Sequence, residues 1–418
     1  MTPPNSSPEN PDTENPDAEY PATEKLYWTQ PQARTFTATV TATRGRQIAL
    51  DRTLFYPEGG GQPCDTGTLV WDGGQSEVTD VQKEGETVWH TLEGRPPNVG
   101  SQVTGTLDWA RRYRHSQRHT AEHLLAQAFF RVNPAFGIRS VSMRSGECTL
   151  DLAGQPGASH VLAAQHLLTD TLREGLTLET LMVPTDELDA YPLRRPPQVS
   201  GPVRVVLFRS ASGDIWEASA CGGTHLAQGV QAAPVVVLKT ERIKNELTRV
   251  TFMAGEEATE RLNTVYGQAQ ALARGFSVPV ERLPERVDRL QAELRSAQED
   301  ATGLRRQLAA GLVAGADWRT VPGGRFTLIE TTDELLLPVL EAAGARPGSL
   351  SVVVAVSGRG GVASMLPEYP AQTLLRGWLA QAGGHGGGRP QLARGQAERP
   401  EDFRRAVEGW LDALPLPE

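Results

Sequence analysis

His119 and His123 stand four residues apart, a spacing that in a helix puts both imidazoles on one face with their Cβ atoms about 5–6 Å apart. One metal ion can bridge such a pair. Within residues 116–132, Ala121, Leu124, Leu125, Ala128, Phe129 and Val132 form an apolar stripe, and at about 100° per residue the two histidines centre on the opposite side. Histidines that merely fill a core belong on or beside the stripe, so their placement favours a ligand role without removing the structural one. A second pair at the same spacing, Cys221 and His225, lies in Ala-Cys-Gly-Gly-Thr-His. Thiolate and imidazole are the donors that zinc prefers. From spacing alone, Cys221 could still be a small buried side chain beside a Gly222-Gly223 turn, or half of a Cys–His nucleophilic pair. Neither alternative accounts for His119 and His123, so the candidate metal ligands are His119, His123, Cys221 and His225, with zinc as the expected ion.

A third feature, Asp-Arg-Thr-Leu-Phe-Tyr-Pro-Glu-Gly-Gly-Gly-Gln, occupies residues 51–62. Successive glycines let a backbone approach a ligand closely or adopt positive φ, and Thr53 and Gln62 offer a hydroxyl and an amide to position it. The Gly-Lys-Ser/Thr ending of a nucleotide-binding P-loop is absent from it.

Three segments in this order, Phe-Tyr-Pro-Glu-Gly-Gly-Gly-Gln at 55–62, His-Thr-Ala-Glu-His-Leu-Leu at 119–125 and Cys-Gly-Gly-Thr-His at 221–225, resemble the signatures of the alanyl-tRNA synthetase editing domain and its free-standing AlaX relatives. Gly-Gly-His-Gly-Gly-Gly-Arg-Pro at 383–390 is similar to the glycine-rich motif of that synthetase's C-terminal DHH-associated domain. The resemblance therefore spans nearly everything after residue 25 and points to the long form of AlaX. It implies an aminoacyl-tRNA deacylase that clears mischarged tRNA for alanine, the seryl ester first and the glycyl ester as a second candidate. It also implies catalytic roles for Thr53 and Gln62 and substrate contacts from Glu58, Gly59, Gly60, Gly61 and Thr224. Arg389 and Arg394, beside the glycine cluster, are the candidate tRNA contacts. The need for such a reaction is physical: a pocket for alanine cannot exclude glycine by size and rejects an added hydroxyl by only about 10²-fold. A zinc-stabilised tRNA-binding protein without catalysis is the alternative reading. A cysteine-dependent hydrolase of a small ester or amide ranks below both. The short acidic stretch before the first β segment leaves no room for an activation domain, so an entire synthetase is not expected.

These residues need elements to hold them. Residues 1–24 carry six acidic and no basic side chains and almost nothing to bury, which reads as a disordered acidic tail. Short β-like runs separated by Gly, Pro and Asn, at 36–42, 48–55, 87–92 and 103–107, read as a small β-barrel over 25–108. A zinc-binding α+β domain of the threonyl/alanyl-tRNA synthetase common type is expected over 109–255. Its elements are the histidine helix at 116–132, a helical stretch near 161–173 and strand-like runs at 203–208 and 235–239. Leu283, Val287, Leu290, Leu294, Ala297, Ala301, Leu304 and Leu308 alternate spacings of four and three, the seam of a coiled coil or helical hairpin over 256–310. A homodimer through that linker and the C-terminal domain is one expectation. Residues 311–418 read as a small α/β domain of the DHH-associated type, so the fold class is α+β.

The net charge of −9 runs against the basic balance expected of an RNA-handling protein, but six of those charges sit in the first 24 residues. Arg111, Arg112, Arg114 and Arg118, then Arg194, Arg195, Arg204 and Arg209, are basic clusters compatible with phosphate binding. Three cysteines are too few and too scattered for a disulfide framework. No apolar run approaches the roughly 20 residues of a membrane span and no secretory signal opens the chain, so a cytoplasmic location is expected.

Overall fold

The computed structural model describes residues 20–195, 201–244 and 246–415. The chain divides between residues 269 and 270 into two compact units, inside the helix Gly255–Gly275. Among the described residues no helix is long and apolar enough to cross a membrane.

Alternation of apolar and polar side chains builds the first layer of the N-terminal unit. In β1 (Thr35–Arg44), Phe36, Ala38, Val40 and Ala42 are buried while Thr35 and Thr37 are exposed, as a half-buried strand requires. With β2 (Gln47–Leu50), β3 (Gly67–Trp71), β4 (Gly74–Glu84), β5 (Thr87–Leu92) and β6 (Gln102–Leu107) it closes into a barrel of order β1-β2-β5-β4-β3-β6. Closure satisfies every strand edge, and Ile48, Leu50, Leu69, Val78, Val81, Val88 and Leu92 fill the interior. β3 and β4 lie outside the runs read from the sequence; β4, Gly-Gln-Ser-Glu-Val-Thr-Asp-Val-Gln-Lys-Glu, is mostly polar and carries a weak apolar signal.

Order begins before the predicted barrel boundary. The Thr23 hydroxyl donates to the Leu50 carbonyl at 2.9 Å and accepts from the Val88 N–H at 3.1 Å, Glu24–Lys25 pairs with Arg52–Thr53, and the Tyr20 ring packs edge-on against Trp89. One buried threonine and one aromatic anchor residues 20–24, which composition averaging assigned to the tail. The rest of that predicted tail lies outside the described residues.

The helix carrying the histidine pair, α1 (Trp109–Val132), starts seven residues earlier than its apolar stripe suggested, because Asp108 caps it by accepting from the Arg111 N–H at 3.1 Å. Every residue from His115 to Ala126 is buried, so α1 is a central helix with no solvent face along this stretch. Its hydrophobic side packs Leu124, Leu125 and Phe129 against Leu150, Leu168, Phe208 and Phe252. Two antiparallel sheets and a helix enclose it. One sheet has the order β12-β13-β8-β7, from β7 (Ile138–Ser142), β8 (Cys148–Ala153), β12 (Val235–Ile243) and β13 (Leu247–Ala254). The other is β9 (Leu176–Val183), β10 (Val203–Ser210) and β11 (Ile215–Ala220). The helix is α2 (Ala158–Glu174), and α3 is Gly255–Gly275.

The arginine clusters turn inward. Arg112, 1% exposed, forms an ion pair with the fully buried Asp65; Arg118 is bidentate to Glu257 at 2.7 and 2.6 Å; Arg114 faces Glu256 and Glu260; and the Arg111 Nε–H donates to the Cys64 carbonyl at 3.0 Å. Arg204 and Arg194 are likewise engaged beside the cysteine loop, and Arg209 pairs with Glu179. Arg112, Arg118, Arg194 and Arg204 are internal framework, whereas Arg114, Arg195 and Arg209 stay at the surface.

In the C-terminal unit, α4 (Leu283–Ala314) carries Pro284 in its first turn, where a missing N–H is tolerated. Val287, Leu294, Leu304 and Leu308 of its apolar seam are 42%, 60%, 64% and 54% exposed, whereas Ala309 and Val313 are buried with Val339 and Leu340. The six-stranded sheet has the order β14-β15-β16-β17-β19-β18, from β14 (Arg319–Val321), β15 (Gly324–Thr331), β16 (Ser349–Ala355), β17 (Arg359–Ser364), β18 (Gly384–Arg389) and β19 (Leu392–Ala397). Helices α5 (Asp333–Gly344), α6 (Ala371–Ala382) and α7 (Pro400–Asp412) accompany it, and Val352, Leu375, Trp378 and Phe403 lie in its core. The glycine cluster forms edge strand β18, and Arg389 and Arg394 are exposed.

Candidate metal centre and its cavity

Helix α1 and the loop after β11 bring His119, His123, Cys221 and His225 together, with one donor atom of each within 4.8 Å of the others. The Cys221 Sγ lies 3.4 Å from both His119 Nε2 and His225 Nε2. Bonds of roughly 2.0–2.3 Å at tetrahedral angles set donors about 3.5 Å apart, the spacing that the Cys221 sulfur keeps from these two nitrogens. The set could hold a metal ion. Its ring centroids stand 4.5–5.2 Å apart.

His119 and His225 are met from behind at Nδ1, which leaves their Nε2 atoms to face Cys221. His119 Nδ1 is 2.7 Å from Gln62 Oε1. That oxygen also accepts from the Thr224 N–H at 3.1 Å, so it is the amide's carbonyl and His119 Nδ1 must be the donor. The Gln62 amide N–H donates to the Thr224 hydroxyl at 3.0 Å, and Ser116 closes the chain at 2.9 Å. His225 Nδ1 is 3.5 Å from the Thr120 hydroxyl. His123 Nδ1 is 3.3 Å from Glu217 Oε1, an electrostatic approach without hydrogen-bond alignment. Glu217 is 1% exposed and is held by Ser219 and by Arg194, whose Nε and Nη2 lie 3.1 and 3.0 Å away. Such outer partners fix ring orientation and tautomer at metal sites.

The charges are mutually adjusted. Burial acts to lower the His123 pKa, but Glu217, Glu122 and Cys221 raise it to about 10. Burial opposes ionisation of Cys221 as well, yet the imidazoles of His119, His123 and His225 hold its thiol well below the usual range. His225 is pushed down to about 3 by burial and by His119. Burial likewise disfavours the Glu217 carboxylate, and His123 and Arg194 reverse it, keeping Glu217 below the ordinary value.

The cysteine loop is fixed through its backbone. Arg204 donates to the Cys221 and Gly223 carbonyls at 2.8 and 3.0 Å, the Trp28 indole N–H donates to the Gly222 carbonyl at 2.8 Å, and the Leu226 N–H donates to Thr120 at 3.0 Å. Gly223 lies flat on His119, and a Cβ there would overlap the imidazole ring. In the other glycine segment, Gly61 has φ +82° and a Cβ would meet Val141 at 3.0 Å, so the turn lies close against β7.

A cavity of about 440 Å³ opens beside the cluster, lined by Tyr56, Gly59, Gly60, His119, Glu122, His123, Arg194, Cys221 and Gly223 among others. Of the residues expected to touch a substrate, Gly59 and Gly60 line it. Gln62 and Thr224 lie behind His119, buried and bonded to each other. Gly61 faces Val141, and Glu58 pairs at the surface with Arg144 at 2.9 Å. Thr53 is elsewhere: fully buried, its hydroxyl 2.8 Å from His90 Nε2 and accepting from the Phe55 N–H at 3.0 Å. Sequence reasoning missed Glu217, whose place depends on how its strand packs behind α1, and Glu122, which was visible inside His-Thr-Ala-Glu-His but had no spacing rule of its own; Arg194, read as part of a basic cluster compatible with phosphate binding, instead holds Glu217.

Comparison with known proteins agrees with this picture at the level of family. Residues 10–111 match the model of tRNA synthetases class II (A). The chain is 32% identical over 397 residues to the alanine–tRNA ligase of Pyrococcus furiosus, covering 92% of this chain and 43% of that one. It is 31% identical to the Pyrococcus abyssi enzyme and 30% to that of Methanothrix thermoacetophila, each over 94% of this chain and 44% of the relative. The chain thus spans less than half the length of these relatives. The crystal structure of the C-Ala domain from Aquifex aeolicus alanyl-tRNA synthetase aligns with 23% of this chain and 97% of its own, at 18% identity and a TM-score of 0.21, too low to carry an argument. On sequence identity sustained across nine-tenths of its length, the chain belongs to the family of the alanine–tRNA ligases, of which it matches a part.

Proposed function

We propose that the protein is an editing hydrolase that cleaves the ester between a wrong amino acid, serine or glycine, and tRNA for alanine, acting on tRNA already released from a synthetase. The observation that carries this reading is the convergence of His119, His123, Cys221 and His225 on one wall of an open cavity whose rim is the glycine turn 59–60. An ion at this cluster is zinc, given three imidazoles and a thiolate.

When bound, zinc supplies Lewis acidity at the cavity wall and fixes the geometry of its four ligands. The chain's own residues do the rest. Gly59 and Gly60 leave room for the terminal ribose and amino acid to pass close to the backbone. Gln62 and Thr224 act by holding His119 in one tautomer, and Tyr56, which donates to the Gly59 carbonyl at 3.1 Å, steadies the turn. A water held in the cavity attacks the ester carbonyl; the bond from the carbonyl carbon to the ribose oxygen breaks, a proton of the water passes to that oxygen to restore the ribose hydroxyl, and the amino acid leaves as the free acid. Thr53, bonded to His90 inside the barrel, takes an indirect part by shaping the segment that leads to the glycine turn. The exposed Arg389 and Arg394 contact tRNA phosphates, and a homodimer forms through the uncovered apolar seam of α4.

One observation favours the second reading, a zinc-stabilised tRNA-binding protein without chemistry: four protein donors close a site, and closed sites are usually structural. The deciding experiment incubates the purified protein with seryl-, glycyl- and alanyl-tRNA for alanine, with and without a chelator. Loss of the seryl charge with alanyl-tRNA spared supports editing. Retained tRNA binding with every ester intact refutes it and leaves the binding protein.

A further inference from the structure

Glu122 is the one carboxylate among the described residues that line the cavity. Its side chain is 5% exposed, and its charged neighbour is His123 Nε2 at 3.6 Å, the nitrogen that Glu217 leaves facing the cluster. No hydrogen bond holds it among the described residues, in contrast with Glu217 behind the same imidazole, which is tied to Arg194 and Ser219. The cationic side chains on the cavity wall are already engaged: Arg194 by Glu217, and Arg195 by the Ile138 and Arg139 carbonyls at 2.6 and 3.1 Å. Glu122 also stands outside the four-donor group. A carboxylate this far withdrawn from water, with one imidazole at 3.6 Å and no hydrogen-bond donor among the described residues, is only partly compensated, so this position is completed by a cationic ligand entering the cavity.

We propose that Glu122 receives the α-ammonium of the esterified amino acid. The inference rests on the editing reading, because an aminoacyl ester carries one cation, its α-ammonium, on the carbon next to the carbonyl that is cleaved. A carboxylate beside the metal cluster meets that ammonium while the ester carbonyl lies toward the imidazoles and thiolate. The site then accepts aminoacyl ends and refuses N-acylated or peptidyl ends, in which the same nitrogen is a neutral amide. Glu122 is thus a specificity-determining residue for the free amine, independent of which side chain the amino acid carries.

The test uses zinc-loaded protein and two non-hydrolysable probes, the seryl amide of an aminodeoxyadenosine and its N-acetyl counterpart, with binding read by calorimetry. A hydrogen bond between charged groups implies a preference for the free amine of about 10- to 100-fold in the unaltered protein. Glu122→Gln is expected to bring that preference close to unity while zinc content stays at its original stoichiometry. Equal binding of the two probes by the unaltered protein overturns the proposal, as does Glu122→Gln weakening both probes by the same factor. Should circular dichroism show that Glu122→Gln is unfolded, Glu122→Asp replaces it: a preference reduced partway supports the proposal, and one undiminished overturns it. Seryl-tRNA hydrolysis is measured in parallel. Its absence sinks the editing reading, whereas the amine preference in binding still decides the role of Glu122.

Discussion

Replacing Glu217 tests whether the residues behind the imidazoles build the metal centre. Glu217 is buried, stands 3.3 Å from His123 Nδ1, and is the acceptor for Arg194 at 3.0–3.1 Å. Glu217→Gln keeps the volume and an acceptor for Arg194 but removes the charge facing His123. Loss of an outer partner of this kind lowers metal affinity about 10- to 100-fold, or about 1.4–2.7 kcal/mol. Glu217→Ala adds a second effect, because the Arg194 side chain, 10% exposed, is left as a buried unpaired cation. Breaking such a pair costs about 3–5 kcal/mol of folding stability. Competition against a fluorescent zinc chelator measures the first quantity, and urea unfolding of the metal-free protein measures the second. The Gln variant is expected to lose affinity and the Ala variant to lose more stability than Gln. Zinc affinity within twofold of the original in both variants refutes the idea that Glu217 orients His123.

Gly223→Ala puts a methyl into the space of the His119 ring, so at least about tenfold weaker zinc binding is expected; unchanged affinity in the same competition assay counts against the tight loop geometry. His90 is fully buried and burial lowers its pKa to about 4. Below pH 6.5 the unfolded chain takes up a proton that the folded chain refuses until about pH 4, so stability falls as pH drops through that window, by about 1.4 kcal/mol per unit from this group. Urea midpoints at pH 7 and pH 5 should decline less in His90→Asn, and an equal decline refutes the assignment. For the exposed pair Arg389 and Arg394, the double Glu variant is expected to bind tRNA more weakly and to flatten the salt dependence by about one to two in log–log slope. A slope equal to that of the unaltered protein removes them from the interface.

The His119/His123 pair was legible in the sequence because helical geometry makes four-residue spacing a local property; Cys221 and His225, which lie in a loop, were legible by residue type, since histidine and cysteine are the side chains whose lone pairs suit one ion. The barrel strands with clean alternation, β1 and β6, and the break after Val132 were legible for the same reason: period and punctuation are local. Tertiary structure alone decided which polar groups stand where. Arg112 and Arg118 read as surface charge until Asp65 and Glu257, 47 residues before the one and 139 after the other, neutralise them inside the fold. Gln62 read as a substrate contact, yet the closing of the cysteine loop spends its amide on His119 and Thr224. Glu217 and Glu122 flank the same imidazole, one tied down and the other facing the cavity. That difference comes from which strand passes behind helix α1, a contact between residues 94 positions apart that no periodicity encodes.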